Sequence, residues 1–264
     1  MPKLAVIGFP VAHSRSPAMQ SAALAELGLA GEWSYEAIEA EPARFEATVR
    51  QLVADEYAGA NVTVPHKEAA LALADELSEP AREIGAANTL VFEAGRIAAD
   101  NTDAGGLLAA LPASPRGLRA LVLGAGGAAR AVLWALGREG ARVEVWNRTP
   151  ARAEAICAEL GGTPVAAPDQ TDYELIVNTS AAGLHGEDPF EQLPLAAERF
   201  GPGQTVVDMV YGERPSPLLE AASAAGATVV DGLEVLVQQG ALSLRIWTGL
   251  EPPVDAMRAA ARRR

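Results

Sequence analysis

Four stretches of the chain carry groups that could do chemistry. The first is Leu121-Val-Leu-Gly124-Ala125-Gly126-Gly127-Ala128-Ala129-Arg130, an apolar strand that enters glycines and leaves as a helix. Gly124 permits a tight turn, Gly126 removes a side chain that would block a pyrophosphate, and Ala129 is small enough for helix and strand to pack closely. Backbone N–H groups from Gly124, Ala125, Gly126, Gly127 and Ala128 would then face phosphates at the helix N-terminus. With a strand before it and a helix behind it, this pattern predicts a dinucleotide site. The other three stretches are Ser14-Arg15-Ser16-Pro17, Asn61-Val-Thr63-Val-Pro-His66-Lys67, and the pair Asn88-Thr89 and Asn101-Thr102-Asp103. Each falls just after a strand or at a helix start, where open α/β sheets bind ligands. Together they offer hydroxyls, amides, the Lys67 ammonium and the Asp103 carboxylate, a set suited to a small polyhydroxylated carboxylate. No metal-ligand spacing is present, so no metal is predicted, and no serine–histidine–acid order stands out.

The choice of dinucleotide is written at the end of the next strand, Trp146-Asn147-Arg148-Thr149. NAD sites usually place Asp or Glu here for the ribose 2′-hydroxyl. This strand end has no carboxylate; it has Arg148, the Thr149 hydroxyl and Arg152 one turn on. A planar guanidinium suits a 2′-phosphate, so the expected cofactor is NADP. Thr149 before Pro150 is also placed to cap the next helix.

Strand and helix alternate to position these residues. Strands are predicted at Leu4–Phe9, Trp33–Ile38 and Gly59–Val64, and helices at Pro17–Leu27, Arg44–Val53 and His66–Leu77. Asn88–Phe92 and Arg96–Ala99 read as a hairpin turning at Ala94–Gly95. After a Pro/Ser/Gly cluster at Pro112–Gly117 the alternation restarts: strands Ala120–Leu123, Arg142–Trp146, Leu175–Asn178, Thr205–Asp208 and Thr228–Val230, with helices Ala128–Glu139, Ala151–Leu160 and Leu218–Ala225. The tail, Leu233–Trp247 and Pro253–Arg264, is helical. The fold class is therefore α/β in two domains. Residues 1–103 plus 234–264 would form an α/β substrate domain with a mainly parallel sheet, completed by the returning C-terminal helices. Residues 104–233 would form a Rossmann NADP-binding domain. Gly105-Gly106 and Gly232 lie where hinges are expected.

Composition narrows the class. With 264 residues the chain can bury large cores, and 49% hydrophobic against 21% charged residues marks a globular protein. The net charge of −13 repels nucleic acid and anionic membrane surfaces, so neither is an expected partner. The single cysteine, Cys157, excludes an intrachain disulfide and suits a reducing compartment. No signal peptide or membrane span is read, and the expectation is a cytoplasmic protein acting on a small molecule, as a monomer or homodimer. Alone, Ser16 before Pro17 reads as a helix N-cap, Asp103 as a cap for the helix at Ala104, Cys157 as inert core, and His13 and His185 as loop residues.

Taken together, these blocks resemble the shikimate dehydrogenase family nearly end to end. The resemblance runs through the Ile7-Gly8 strand exit, His13 to Pro17, Gly59 to Lys67, Gly85 to Leu90, Asn101-Thr102-Asp103, Gly124 to Arg130, Asn147-Arg148-Thr149, Asp208 to Tyr211, Gln238 to Ala241 and Trp247-Thr248-Gly249. Asn-Val-Thr-x-Pro-His-Lys is its most specific string. The resemblance implies that Ser14 and Ser16 donate to a substrate carboxylate. Thr63, Asn88, Asp103 and Gln239 would hold ring hydroxyls, with Asn61 and Tyr211 lining the pocket. Lys67 and Asp103 would be the catalytic pair, and Asn178, Thr179, Met209 and Gly232 would lie along the nicotinamide. The implied reaction is NADP-dependent interconversion of 3-dehydroshikimate and shikimate, on the path to aromatic amino acids. Hydride transfer to a ketone builds negative charge on oxygen, and the Lys67 ammonium could stabilise it and deliver a proton. The alternatives are a quinate-using, NAD-dependent member of the same family, a non-catalytic NADP sensor, and another Rossmann enzyme such as a folate dehydrogenase. This chain departs from the family's common pattern at Gln20-Ser21, where His-Asn is usual, and at Ser216, where Thr is usual.

Overall fold

The computed structural model describes residues 2–184, 186–212 and 214–263. His185 and Arg264, and the readings made of them, lie outside the described residues. The chain packs as two compact units, the stretch up to Gly106 with Leu236–Arg263, and Leu107–Val235.

The first unit contains β1 (Lys3–Gly8), α1 (Ser16–Glu26), β2 (Ser34–Glu39), α2 (Phe45–Ala54), β3 (Tyr57–Val62), α3 (Lys67–Leu73), β4 (Glu76–Leu77), α4 (Glu79–Ile84), β5 (Thr89–Glu93) and β6 (Arg96–Asp100). They form one sheet in the order β2-β1-β3-β5-β6-β4. β2, β1 and β3 are parallel to one another, β5 is antiparallel to both β3 and β6, and β4 is parallel to β6. The hairpin turns where expected: Ala94 at φ +50° and Gly95 at φ +78° supply the two positive φ values that a tight two-residue turn needs. Ala5, Ile7, Ala60, Val62 and Leu90 build a core with Phe45, Val49 and Leu52 of α2.

One predicted helix is too long. The run from His66 stops at Leu73, because the chain turns extended at Ala74 and Glu76-Leu77 pair with Ala98-Ala99 as a short edge strand. Asp75 anchors that edge by accepting from the Ile97 amide at 2.8 Å. Ser78 then caps α4, which the sequence reading missed, its Oγ accepting from Ala81 N at 3.1 Å ahead of Pro80.

α5 (Asp103–Ala110) leads into the second unit, which holds β7 (Arg119–Leu123), α6 (Gly127–Arg138), β8 (Arg142–Trp146), α7 (Pro150–Leu160), β9 (Thr163–Pro164), β10 (Leu175–Asn178), β11 (Thr205–Asp208), α8 (Pro217–Ala224) and β12 (Thr228–Asp231). All its strands are parallel, in the order β9-β8-β7-β10-β11-β12. The order reverses between β7 and β10, the switch point at which such sheets bind nucleotides. β9, only two residues long, escaped the sequence reading. Successive residues of β7 serve opposite cores. Ala120 and Val122 pack with Val132, Leu133, Leu136 and Ile156, while Leu121 and Leu123 pack with Ile176, Val206, Leu218 and Leu219. Burial on both faces is why this strand is apolar without alternation.

α9 (Gly232–Thr248) returns the chain to the first unit, where α10 (Val254–Arg262) packs on α1. The units divide inside α5 and α9. Gly105-Gly106, expected as a hinge, lies within α5 and has a packing task. A Cβ on Gly106 would stand 2.7 Å from the Gln239 backbone nitrogen, so α5 and α9 touch there only because the side chain is missing.

Candidate active site

In the first unit, the carboxyl ends of β1, β3 and β6 and the start of β5 gather the predicted polar residues at one edge. Gly8, at the end of β1, leaves room for Thr63: a Cβ there would meet the Thr63 methyl at 2.5 Å. Thr63 is tied to β1 through its amide, which donates to Ile7 O at 2.9 Å, and its carbonyl accepts from His66 N at 2.9 Å. His66 is structural. It stacks on Phe45 with ring centroids 4.5 Å apart, and its Nε2 lies 2.8 Å from Ala40 O, which fixes the start of α3 and therefore Lys67.

Lys67 Nζ donates to Asp103 Oδ2 at 2.6 Å, with side-chain exposures of 12% and 7%. Asn88 Nδ2 donates to Asp103 Oδ1 at 2.9 Å, so both carboxylate oxygens are held. The helix-capping task expected of Asp103 falls to Asn101 instead, whose Oδ1 accepts from Asp103 N at 3.1 Å and Ala104 N at 3.4 Å. That division frees Asp103 for the ion pair. An ammonium has three donors, so Lys67 keeps two for a ligand. Gln239, from α9, accepts from Asn88 Nδ2 at 3.1 Å.

Beneath these groups lies a buried polar floor. Tyr35 donates to Asn61 Oδ1 at 2.8 Å, and Asn61 Nδ2 donates to Ser243 Oγ at 2.9 Å and to Asn88 O at 3.2 Å. Ser243 Oγ lies 2.8 Å from Thr89 Oγ1 and 3.0 Å from Thr102 Oγ1. Thr102 N donates to Asn88 Oδ1 at 2.7 Å. Asn61 was expected to line the pocket; its carboxamide is taken up in this network, where it positions Asn88. Ser243 and Thr102 were not singled out from sequence. Ser243 stands four residues after Gln239, on the same face of α9, and that spacing was the available signal. Ser14 and Ser16 sit together at the start of α1, Ser14 Oγ accepting from Ser16 N at 3.3 Å. Ser16 begins the helix and makes no side-chain cap bond, against the N-cap reading. Its burial, 3% exposed, takes the hydroxyl away from solvent.

The second unit carries the glycine loop. Gly124 has φ +120°, and a Cβ there would meet Thr179 Oγ1 at 2.5 Å. Glycine is required by conformation and by space. Gly126 stands at the N-cap of α6, with nothing within 4 Å of its would-be Cβ. The backbone is open there to a pyrophosphate, flanked by Ala125, Gly127 and Ala128, while buried Ala129 seats the helix on the sheet. A pocket beside this loop is lined by Gly124, Trp146, Asn147, Arg148, Ser180 and Leu193, among others. Asn147 Nδ2 donates to Thr149 O at 2.9 Å, which shapes the turn. Thr149 occupies the N-cap of α7 without a side-chain cap bond. Arg148 and Arg152 are exposed, and among the described residues neither guanidinium is engaged in an ion pair. The residues present fit a dinucleotide carrying a 2′-phosphate.

Asn178 and Thr179 leave β10 beside Met209, whose amide donates to Asn178 O at 2.9 Å. Gly232 packs on the same segment, because a Cβ there would lie 2.6 Å from Met209 O. Tyr211 follows on the same exit of β11, in the second unit, whereas Lys67, Asp103, Asn88 and Gln239 belong to the first. Asp208 ends β11, and burial pushes its carboxyl above the ordinary value even though Ser216, Val210 N and Asn178 all donate to it. Ser180 and Ala182, which line the pocket, were missed from sequence, since strand order and not spacing brings them to Arg148.

Comparison with known proteins gives the family. Residues 6–90 match the profile described as the shikimate dehydrogenase substrate binding domain, 109–181 that of shikimate/quinate 5-dehydrogenase, and 232–262 the shikimate 5′-dehydrogenase C-terminal domain. The chain is 47% identical over 269 residues to a shikimate dehydrogenase (NADP(+)) of Thermus thermophilus, covering 100% of this chain and 98% of that protein. It is 44% identical to the enzyme of the same name from Acidiphilium cryptum, over 95% and 91% of the two chains. The crystal structure of a Thermus thermophilus shikimate 5-dehydrogenase, in complex with NADP(H) and shikimate, superposes with a TM-score of 0.89 at 45% identity over 99% of each chain. By full-length similarity and by the residues gathered at both sites, this chain belongs to the shikimate dehydrogenase family.

Proposed function

We propose that the chain catalyses the NADP-dependent, reversible reduction of 3-dehydroshikimate to shikimate, with Lys67 and Asp103 as the catalytic pair. The observation that carries the assignment of roles is the Lys67–Asp103 ion pair, whose carboxylate is locked by Asn88 and whose ammonium keeps donors free. The first unit is the substrate domain. Ser14 and Ser16 hold the substrate carboxylate, and Thr63, Asn88, Asp103 and Gln239 hold its ring hydroxyls. The second unit is the NADP domain, where the Gly124–Ala128 backbone receives the pyrophosphate and Arg148, Thr149 and Arg152 the 2′-phosphate. Asn178, Thr179, Met209 and Gly232 flank the nicotinamide, and Tyr211 lines the substrate side.

When bound, NADPH supplies the hydride for the ketone carbon. Lys67 Nζ stabilises the charge that grows on the ketone oxygen and gives it a proton. In the oxidation direction the neutral Lys67 amine takes the proton of the hydroxyl and becomes the ammonium again. Asp103 keeps the ammonium aimed while the reaction proceeds. The substrate is a small molecule, and the enzyme acts in the cytoplasm as a monomer or homodimer. Cys157 is a free, buried thiol, which suits a reducing compartment. Among the described residues no helix is long and apolar enough to cross a membrane.

The test is reduced-nicotinamide absorbance with shikimate or quinate, each with NADP and NAD. Activity concentrated in the shikimate–NADP pair is expected. Comparable activity with quinate and NAD would reassign the chain within its family, and silence in every combination would overturn the enzymatic reading.

A further inference from the structure

The roles assigned so far leave one buried carboxylate unused. Asp208 is 1% exposed. Its Oδ1 accepts from Asn178 Nδ2 at 2.9 Å and from Val210 N at 3.1 Å, and its Oδ2 accepts from the Ser216 hydroxyl. No cation is among these partners. Burying a carboxylate without a cation is costly, and an apolar residue would serve the β11 end at less cost if packing were the only requirement. What the carboxylate does is orient Asn178. By accepting from Nδ2 it turns Asn178 Oδ1 toward the next turn, where Oδ1 accepts from Ser180 N at 3.1 Å and Ser180 Oγ at 2.7 Å. Ser180 Oγ then accepts from Ala182 N at 3.2 Å. Ser180, Ala181 and Ala182 line the pocket that also holds Trp146 and Arg148. On its other side, Ser216 caps α8 by accepting from Leu219 N at 3.3 Å.

We infer that Asp208 is a positioning residue for NADP: it locks Asn178 and so shapes the 180–182 wall of the cofactor pocket, with the Ser216 hydroxyl holding the carboxylate in place. The inference rests on the reading of that pocket as the NADP site.

The experiment compares the full-length wild type with Asp208→Ala, Asp208→Asn, Ser216→Ala and Ser216→Thr. It reads the NADP Kd by titration calorimetry and the shikimate oxidation kinetics of each. Asp208→Ala removes charge-assisted bonds and should raise the NADP Kd and KM about ten-fold or more. The shikimate KM should stay within about two-fold. Asp208→Asn should recover most of the affinity, because its oxygen can still accept from Asn178 and Val210. Ser216→Thr should track the wild type and Ser216→Ala should weaken NADP. An unchanged NADP Kd in Asp208→Ala, or a loss shared equally by kcat and the shikimate KM, would overturn the inference. If Asp208→Ala does not fold, identical NADP Kd values for Ser216→Ala and Ser216→Thr would overturn it. A wild type that turns over shikimate without binding NADP would instead bring down the pocket reading, and the inference with it.

Discussion

Lys67, the proposed proton donor, shows how an ordinary side chain is held in one place. A lysine at the first turn of a helix is usually a solvated charge. Here His66 pins the helix start to Ala40 O, and Asp103 draws the ammonium to within 2.6 Å. Asp103 is available only because Asn101 caps α5 in its place. Removing the ammonium should therefore cut the chemical step more than it cuts binding. Lys67→Ala is expected to lower kcat by about two to four orders of magnitude, the usual worth of a positioned acid, with the shikimate KM changed only a few-fold. The same change leaves Asp103 buried without its cation, a loss of roughly 3–5 kcal/mol. The assay belongs well below the variant's own melting temperature. Steady-state kinetics with near-normal turnover would remove Lys67 from the mechanism.

At the scale of elements, the site depends on how closely helices and strands approach. α9 carries Gln239 and Ser243 against Asn88, Thr89 and Thr102, and Gly106 of α5 allows that approach. Gly106→Ala would place a methyl 2.6 Å from Gln239 Cβ, so α9 must shift. The expected result is a shikimate KM raised by about ten-fold, in line with the 1–3 kcal/mol cost of overpacking. A shikimate KM equal to that of the wild type would show that α9 does not set the Gln239 position. These same approaches mark where the sequence stopped being legible. The strands β8, β10 and β11 match the reading residue for residue: β10 and β11 are short buried apolar runs between turn signals, and β8 alternates charged residues with the buried Val143 and Val145. The glycine loop was legible because its requirement is local. The Ser243–Thr89–Thr102 floor and the Asp208–Asn178–Ser180 chain join residues far apart in the chain, and no local pattern announces them. Ser16 and Thr149 show the opposite case: each fits a local capping rule, and Thr149 does stand at the N-cap of α7, yet the structure gives neither hydroxyl a capping bond.

For the whole molecule, two units with separate cores mean that a ligand held by one unit stabilises that unit first. The residues proposed for NADP lie within Leu107–Val235, and those proposed for the substrate, apart from Tyr211, lie in the other unit. The net charge of −13 also opposes any anion, so the dinucleotide must be drawn in by local donors and the few cations at the β8 exit. Arg148 and Arg152 are those cations, and the absence of a carboxylate at that strand end leaves the NAD ribose without its usual acceptor. A ligand present at about 100 times its Kd stabilises the state that binds it by about 2.7 kcal/mol. In differential scanning calorimetry NADP should therefore raise the melting temperature of the wild type by several degrees, and NAD at equal concentration should raise it much less. Arg148→Ala should erase most of that difference by lowering the NADP shift toward the NAD value. Equal shifts from NADP and NAD in the wild type would mean that Arg148 and Arg152 are ordinary surface charges and that the 2′-phosphate is not read at the β8 exit.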